Sequence, residues 1–281
     1  MKKFIAFLLA LATLFSLVGC SDGETEVADP ETDRVWYSEE ELKGKNIVFY
    51  GDSITAGHST TGFSYNNSAQ SKNSYPHLLT KAYDCGYRNH AVSGAKFTHS
   101  VAMETNPPSN SGVQEIFTRK ESNEWADVAV IAYGTNDFTN LATIGNLNVS
   151  VQTYDQVDTF AKAINFAVMT LKSQNPDIKI IFLTPLKRTK ANLVDPVYNS
   201  FSHIHLNDDF GGAIKSRAQA FSQKGYGNDI IAVDMWDCFT FAEITADSEY
   251  TADGLHPNDK GHKKMADYIM NYLNNMDKND A

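Results

Sequence analysis

At 281 residues, with 42% hydrophobic and 21% charged side chains, the chain has ordinary globular composition and length enough for one large core or two small ones. Its net charge of −10, with no cluster of Lys and Arg beyond residue 100, argues against nucleic-acid binding, because phosphates need a basic footprint.

The chain begins with Met1-Lys2-Lys3, and an almost wholly apolar stretch follows from Phe4 to Val18. That run is short for a bilayer span and suits the core of a signal peptide. A plain secretory signal with an incidental cysteine would read the same way. Leu17-Val18-Gly19-Cys20, however, resembles the end of a bacterial lipoprotein signal, which implies a mature chain that starts at a lipidated Cys20. Ser21 to Glu41 then holds nine acidic residues against Arg34, the composition of a solvated linker. The expected organisation is a signal peptide over 1–19, Cys20 and an acidic linker to residue 44, and one domain over 45–281. The expected location is extracytoplasmic, held at a bacterial membrane by the lipid.

From residue 46, short branched or aromatic runs alternate with longer periodic ones. The pattern predicts a strand at Asn46–Tyr50, a helix at Tyr75–Asp84 with Leu78, Leu79 and Ala82 on one side, and an edge strand at Tyr87–Val92. Asp127–Tyr133 is a continuous apolar run, as expected of a strand covered on both faces. A long helix follows at Gln156–Gln174, a strand at Ile178–Leu183, a helix at Ala213–Gln223 closed by Gly225, a strand at Asp229–Val233 and a last helix at Gly261–Asn274. Such alternation means crossover units and a mostly parallel sheet between helical layers. The connections Gly134–Asp155 and Pro185–Gly212 are long, and both leave carboxyl ends of strands, where open α/β sheets hold their ligands. Cys85 and Cys238 fall at opposite ends of that arrangement and are expected not to pair.

Gly51-Asp52-Ser53 stands at the exit of the first strand. Ser53 could simply cap the next helix, or it could be a nucleophile standing above the sheet. A serine hydroxyl needs a base, and the base needs an orienting group. Asp253-Gly254-Leu255-His256-Pro257 supplies both, with Gly254 allowing the carboxylate to reach the far ring nitrogen. Taken alone, Asp253 could bond only to backbone and His256 could only fill space. Acyl transfer also needs donors for a developing oxyanion. Asn136, in Gly134-Thr135-Asn136-Asp137, can offer its side-chain amide, and Gly94 can expose its N–H without a Cβ in the way. Turn-forming roles suit both equally well, and Asp137 reads better as a loop-ordering cap than as a second base.

Together these stretches resemble the four sequence blocks of the SGNH, or GDSL, hydrolase superfamily of esterases and lipases. Gly51–Gly57 is similar to the first block, Gly94 to the second, Gly134–Asp137 to the third, and Asp253–Pro257 to the last. The resemblance implies a three-layer α/β/α sandwich, flavodoxin-like, around a five-stranded parallel sheet. It implies Ser53 as nucleophile, His256 as base and Asp253 as the acid that orients it. The oxyanion hole would comprise the N–H groups of Ser53 and Gly94 with the Asn136 amide. No cofactor or metal is required by that chemistry.

Substrate choice falls to the loops. Gly57–Asn73 is rich in Ser, Thr, Asn and aromatics, and Pro185–Asp209 adds Lys187, Arg188, Tyr198, Phe201, His203 and His205. Polar groups mixed with aromatic faces suit sugars better than long acyl tails, so a short-chain or carbohydrate O-acetyl ester is the expected substrate. Lysophospholipid or thioester hydrolysis is the alternative within the superfamily. A metal-dependent phosphoesterase built on Asp52, Asn136, Asp137 and His256 is a rival enzyme class, and a lipid-tethered glycan-binding protein is the non-catalytic one. His203-Ile204-His205 lacks a placed third ligand and falls short of a metal site.

Overall fold

A computed structural model of the protein describes residues 37–64, 71–99, 111–189 and 205–276. The expected signal segment and Cys20, with Tyr198, Phe201 and His203, lie outside the described residues.

In chain order, α1 (Glu39–Leu42) leads into β1 (Asn46–Gly51), α2 (Ser53–Ala56), α3 (Tyr75–Ala82) and β2 (Gly86–Asn89). Then come α4 (Gly112–Thr118), α5 (Lys120–Trp125), β3 (Val128–Ala132), α6 (Thr135–Thr139) and α7 (Phe160–Gln174). The chain finishes with β4 (Lys179–Leu183), α8 (Gly212–Phe221), β5 (Ile230–Val233) and α9 (Asp259–Asn274). The five strands form one parallel sheet in the order β2-β1-β3-β4-β5. That is the flavodoxin-like order of the expected sandwich. Its connections reverse direction between β1 and β3, which opens a crevice at their carboxyl ends.

Alternation along the strands fills two cores. Val48, Tyr50, Ala129, Ile131, Ile180 and Phe182 face α4, α7 and α8. Ile47, Phe49, Val130, Ile181 and Val233 face α3 and α9. Because both faces are covered, the strands β1, β3 and β4 are nearly uninterrupted apolar runs.

Several boundaries depart from the sequence reading. The body begins before residue 45: Tyr37 and Leu42 are buried, and the Tyr37 hydroxyl donates to Asn228 O at 2.8 Å. These two apolar residues sit within the acidic stretch and pack where the charges around them do not. The edge strand β2 starts one residue earlier than expected, at Gly86, and its regular pairing ends at Asn89, although His90 and Val92 N–H groups still donate to Phe49 O and Gly51 O of β1, each at 2.9 Å. On α3 the buried side is Tyr75, Leu79 and Tyr83, whereas Ala82 is exposed. The predicted helix from Gln156 is broken. Tyr154–Gln156 forms a single 3-10 turn, Val157 leaves helical geometry at ψ 76°, and α7 starts at Phe160. The break has a tertiary cause. Val157 is buried, its carbonyl accepts from His99 N–H at 2.7 Å, and Phe160 and Ala161 donate to the 143–144 loop instead of to a preceding turn. Cys85 and Cys238 are both free.

Candidate active site

The candidate nucleophile, Ser53, is positioned by the turn after β1. A Cβ on Gly51 would lie 2.2 Å from Thr55 Oγ1 and 2.9 Å from Ala132 O, so only glycine lets α2 fold back against β3 here. The cap of α2 is Asp52, whose Oδ1 accepts from Ile54 N–H at 2.9 Å. Ser53 is therefore released from the capping role, and its hydroxyl points elsewhere. Gly57 ends the helix in the left-handed region at φ 86°.

The partner loop comes from just before α9. Residues 250–258 close on themselves through an antiparallel bridge between Thr251 and Pro257 and through Ala252 N–H to His256 O at 3.1 Å. Asn258 caps α9 by accepting from Lys260 and Gly261 N–H groups. A Cβ on Gly261 would meet Tyr250 O at 2.2 Å, so glycine allows the helix to abut the loop it follows. Within the loop, Gly254 at φ 76° turns the chain. Asp253 Oδ1 then accepts from Leu255 N–H at 3.1 Å and His256 N–H at 2.8 Å. Its second oxygen faces His256 Nδ1 at 3.0 Å.

His256 Nε2 lies 3.0 Å from Ser53 Oγ. A carboxylate on Nδ1 holds the proton there and leaves Nε2 as the acceptor for the serine hydroxyl. Distant parts of the chain thus converge on one continuous line from Asp253 to Ser53. His58 packs against it, its ring 4.1 Å from that of His256, with Phe63 5.1 Å beyond. Those residues belong to the polar loop after α2, which Thr61 N–H ties to Asp259 Oδ1 at 2.7 Å.

The donor side is assembled from two loops. Gly94 is exposed in the left-handed region at φ 79°, in a turn closed by Ala95 N–H to Val92 O. Its own N–H has no partner among the described residues. Asn136, half-buried near the start of α6, donates one amide hydrogen to Ala95 O at 3.0 Å, which leaves its second one uncommitted. As the first residue of α2, Ser53 has no intrahelical acceptor for its N–H. Asp137 is buried and turned away. It accepts from Phe97 N–H at 2.7 Å, Thr98 N–H at 3.0 Å and the Thr98 hydroxyl at 2.9 Å, binding the Gly94 loop to α6. Burial pushes the Asp137 carboxyl up, while these three donors pull it back.

Arg188 departs most from its expected place. In the sequence it falls among substrate-loop residues, yet it is buried behind α6. Its Nη1 donates to Thr135 O at 3.1 Å, Thr135 Oγ1 at 2.9 Å and Thr139 Oγ1 at 2.8 Å. The next residue, Thr189, donates its N–H to Gly254 O at 2.9 Å. One short strap after β4 therefore braces both the Asn136 helix and the Asp253–His256 loop. Nothing in the local pattern of Lys187-Arg188-Thr189 signals this, since all the partners are distant in sequence. Lys187 is engaged with Asp237 and Trp236 O, and His205 with Asp209. Asp52, buried beside this cluster, has its pKa pushed up to about 7 by burial and by Asp137, against the Ile54 N–H and Arg188. His262, buried below His58, accepts from Tyr75 N–H at 3.1 Å, and burial drives its pKa down to about 3. It is a neutral packing imidazole.

The carboxylates of the phosphoesterase alternative are committed to backbone donors. Asp52 is spent on a helix cap and Asp137 on the 97–98 backbone, and the described residues contain no group of three acidic, His or Cys side chains placed to hold a metal.

Residues 49–264 match the profile of the GDSL-like lipase/acylhydrolase family. The chain belongs to the GDSL-like lipase/acylhydrolase family. The matched span takes in the serine turn, both donor loops and the histidine loop. Among solved structures, a Lactobacillus plantarum protein is similar over 83% of this chain and 97% of its own, at 19% identity and TM-score 0.56. A GDSL-like protein of Bacteroides ovatus is similar over 82% of this chain and 98% of its own, at 15% identity and TM-score 0.51. A carbohydrate esterase, whose active site displays divergent catalytic and non-catalytic binding functions, is similar over 82% of this chain and 68% of its own, at 20% identity and TM-score 0.51. These likenesses show the fold. No curated protein sequence matches the chain. As a GDSL-family member, the protein falls within the ester hydrolases.

Proposed function

We propose that the protein is a serine ester hydrolase working through an acyl-enzyme, with a short-chain ester, foremost the O-acetyl group of a carbohydrate, as its substrate. The observation that carries the reading is the Asp253–His256–Ser53 line, with 3.0 Å at each step, beside unengaged donors on Gly94 and Asn136. His256 Nε2 takes the hydroxyl proton as Ser53 Oγ bonds to the carbonyl carbon. The Ser53 and Gly94 N–H groups and the free Asn136 hydrogen receive the oxyanion, the largest electrostatic contribution in such sites. Collapse passes the proton from His256 to the leaving alcohol. Water, deprotonated by His256, then releases the acid and restores Ser53. Asp253 keeps the ring in place and stabilises its cationic form.

The acetyl-ester preference is supported by the site's surroundings. His58 and Phe63 flank His256 and offer a ring face with a polar edge, suited to a sugar alcohol. The structural likeness to a carbohydrate esterase agrees with that class. For location, the basic start, apolar run and Leu17-Val18-Gly19-Cys20 support export and a lipid anchor at Cys20. The acidic residues that follow would serve as the tether.

The test is hydrolysis of acetylated oligosaccharides against nitrophenyl esters of increasing acyl length, with a serine-directed phosphonate as label. Ser53→Ala should abolish both labelling and turnover, and acetyl esters should be preferred. Near-normal hydrolysis by folded Ser53→Ala would end the mechanism, and strong preference for long chains would end the substrate assignment. Radiolabelled fatty acid incorporated into the parent but not into Cys20→Ser would verify the anchor; equal incorporation would dismiss it.

A further inference from the structure

On the outer face of the helical layer, α4, α7 and α8 enclose a cleft of about 600 Å³ to which no triad or oxyanion residue contributes. Its volume falls in the range of small-molecule sites. Phe166 and Phe221 are buried in its walls, while Phe117 and Met169 stand 46% and 54% exposed at the opening.

In the wall lies Arg217, 4% exposed. Its Nε donates to Asn165 Oδ1 at 2.8 Å, its Nη1 reaches Asn148 Oδ1 at 3.5 Å, and its guanidinium sits 4.6 Å over the Phe221 ring. All of these partners are neutral. Other well-covered cations have acidic neighbours: Lys172 and Lys179 pair with Asp229, Lys187 with Asp237, and Arg188 is flanked by Asp52 and Asp253. Arg217 has no carboxylate partner among the described residues, and burial lowers its pKa with nothing to offset it. Lys224, exposed on the rim of the same cleft, has no acidic partner either. In a chain with net charge −10, two uncompensated cations at one cavity are conspicuous. A buried charge is costly until an opposite charge meets it.

We propose that this cleft is a binding site for an acidic sugar, a ring bearing one carboxylate. The carboxylate would seat between Arg217 and Lys224, the planar guanidinium offering it a two-pronged contact. The apolar ring face would lie on Phe117 and Met169, and the hydroxyls would reach the exposed amides of Asn148 and Gln152. Those rim amides favour a polyhydroxy ring over a plain aromatic acid. No bond is made or broken here, so the site stands independently of the hydrolase reading.

Calorimetric titration of the full chain with a di-uronate, with the same disaccharide reduced to the neutral alcohol, and with benzoate tests this directly. The di-uronate should bind saturably, and the reduced sugar about tenfold or more weakly, the value of one charge-assisted contact. Lys224→Glu and Phe117→Ala, both at exposed positions, should each weaken binding at least about fivefold while ester turnover stays unchanged. Arg217→Met should weaken it most. Absence of saturable binding, equal affinity for the reduced sugar, benzoate binding as tightly as the di-uronate, or indifference to both Lys224→Glu and Phe117→Ala would each overturn the assignment.

Discussion

Arg188→Met isolates how a residue that never meets substrate can control the rate. Methionine keeps most of the stem's volume but removes the hydrogen bonds to Thr135 O, Thr135 Oγ1 and Thr139 Oγ1. At about 1 kcal/mol net for each bond, plus the cost of stranding buried acceptors, the loss of stability should be about 3–5 kcal/mol. The kinetic effect has a separate origin. α6 has five residues and Gly134 as its cap, so it is too short to hold itself and depends on tertiary contacts. Without the brace, Asn136 drifts relative to Ser53, and misplacement by about 1 Å costs on the order of 10²-fold. Asn136→Ala sets the ceiling, on the order of 10²–10³ in kcat. The assay is steady-state hydrolysis of a short-chain nitrophenyl ester at a temperature where urea titration finds both variants folded. Arg188→Met should lower kcat about 10²-fold with KM little changed, and Arg188→Lys, which keeps charge but not the fork, should recover part of it. Combining Arg188→Met with Asn136→Ala should be scarcely worse than Asn136→Ala alone, because the first acts through the second. A kcat within about threefold of the parent, or full additivity in the double variant, would refute the brace.

Asp52→Asn keeps an acceptor for the Ile54 N–H and removes a carboxyl whose folded pKa is about 7 against an ordinary 3.8. Between those values the folded state holds more protons than the unfolded one, so the parent loses stability as pH rises through that window, by at most about 4 kcal/mol. The variant should therefore gain on the parent at pH 8 far more than at pH 4.5 in urea titrations; parallel pH profiles would contradict the buried-carboxyl argument. Gly261→Ala, which drives a Cβ to 2.2 Å from Tyr250 O, should cost about 2 kcal/mol or more and depress turnover, since the displaced loop carries Asp253 and His256. Gly212→Ala, a helical site with nothing within 4 Å, should be neutral or stabilising by about 0.5–1 kcal/mol, as thermal denaturation would show.

The parallel sheet and the Ser53–His256–Asp253 set were legible without coordinates because each writes a local signature. Strands covered on both faces must be apolar throughout, as Val128–Ala132 is, and a strand-exit Gly-Asp-Ser or a short Asp-Gly-Leu-His loop is contiguous. What escaped depends on partners far along the chain. Val157 breaks a helix whose periodicity runs straight through it, because His99 claims its carbonyl. Asp137 is committed to the Phe97–Thr98 backbone, and Arg188 to a helix some fifty residues away rather than to a ligand. The amino-acid order thus determined which side chains could do the chemistry and where strands would deliver them. Only the tertiary structure decided which buried charges hold the site in register, because a charge taken out of water has its role assigned by whatever packs around it.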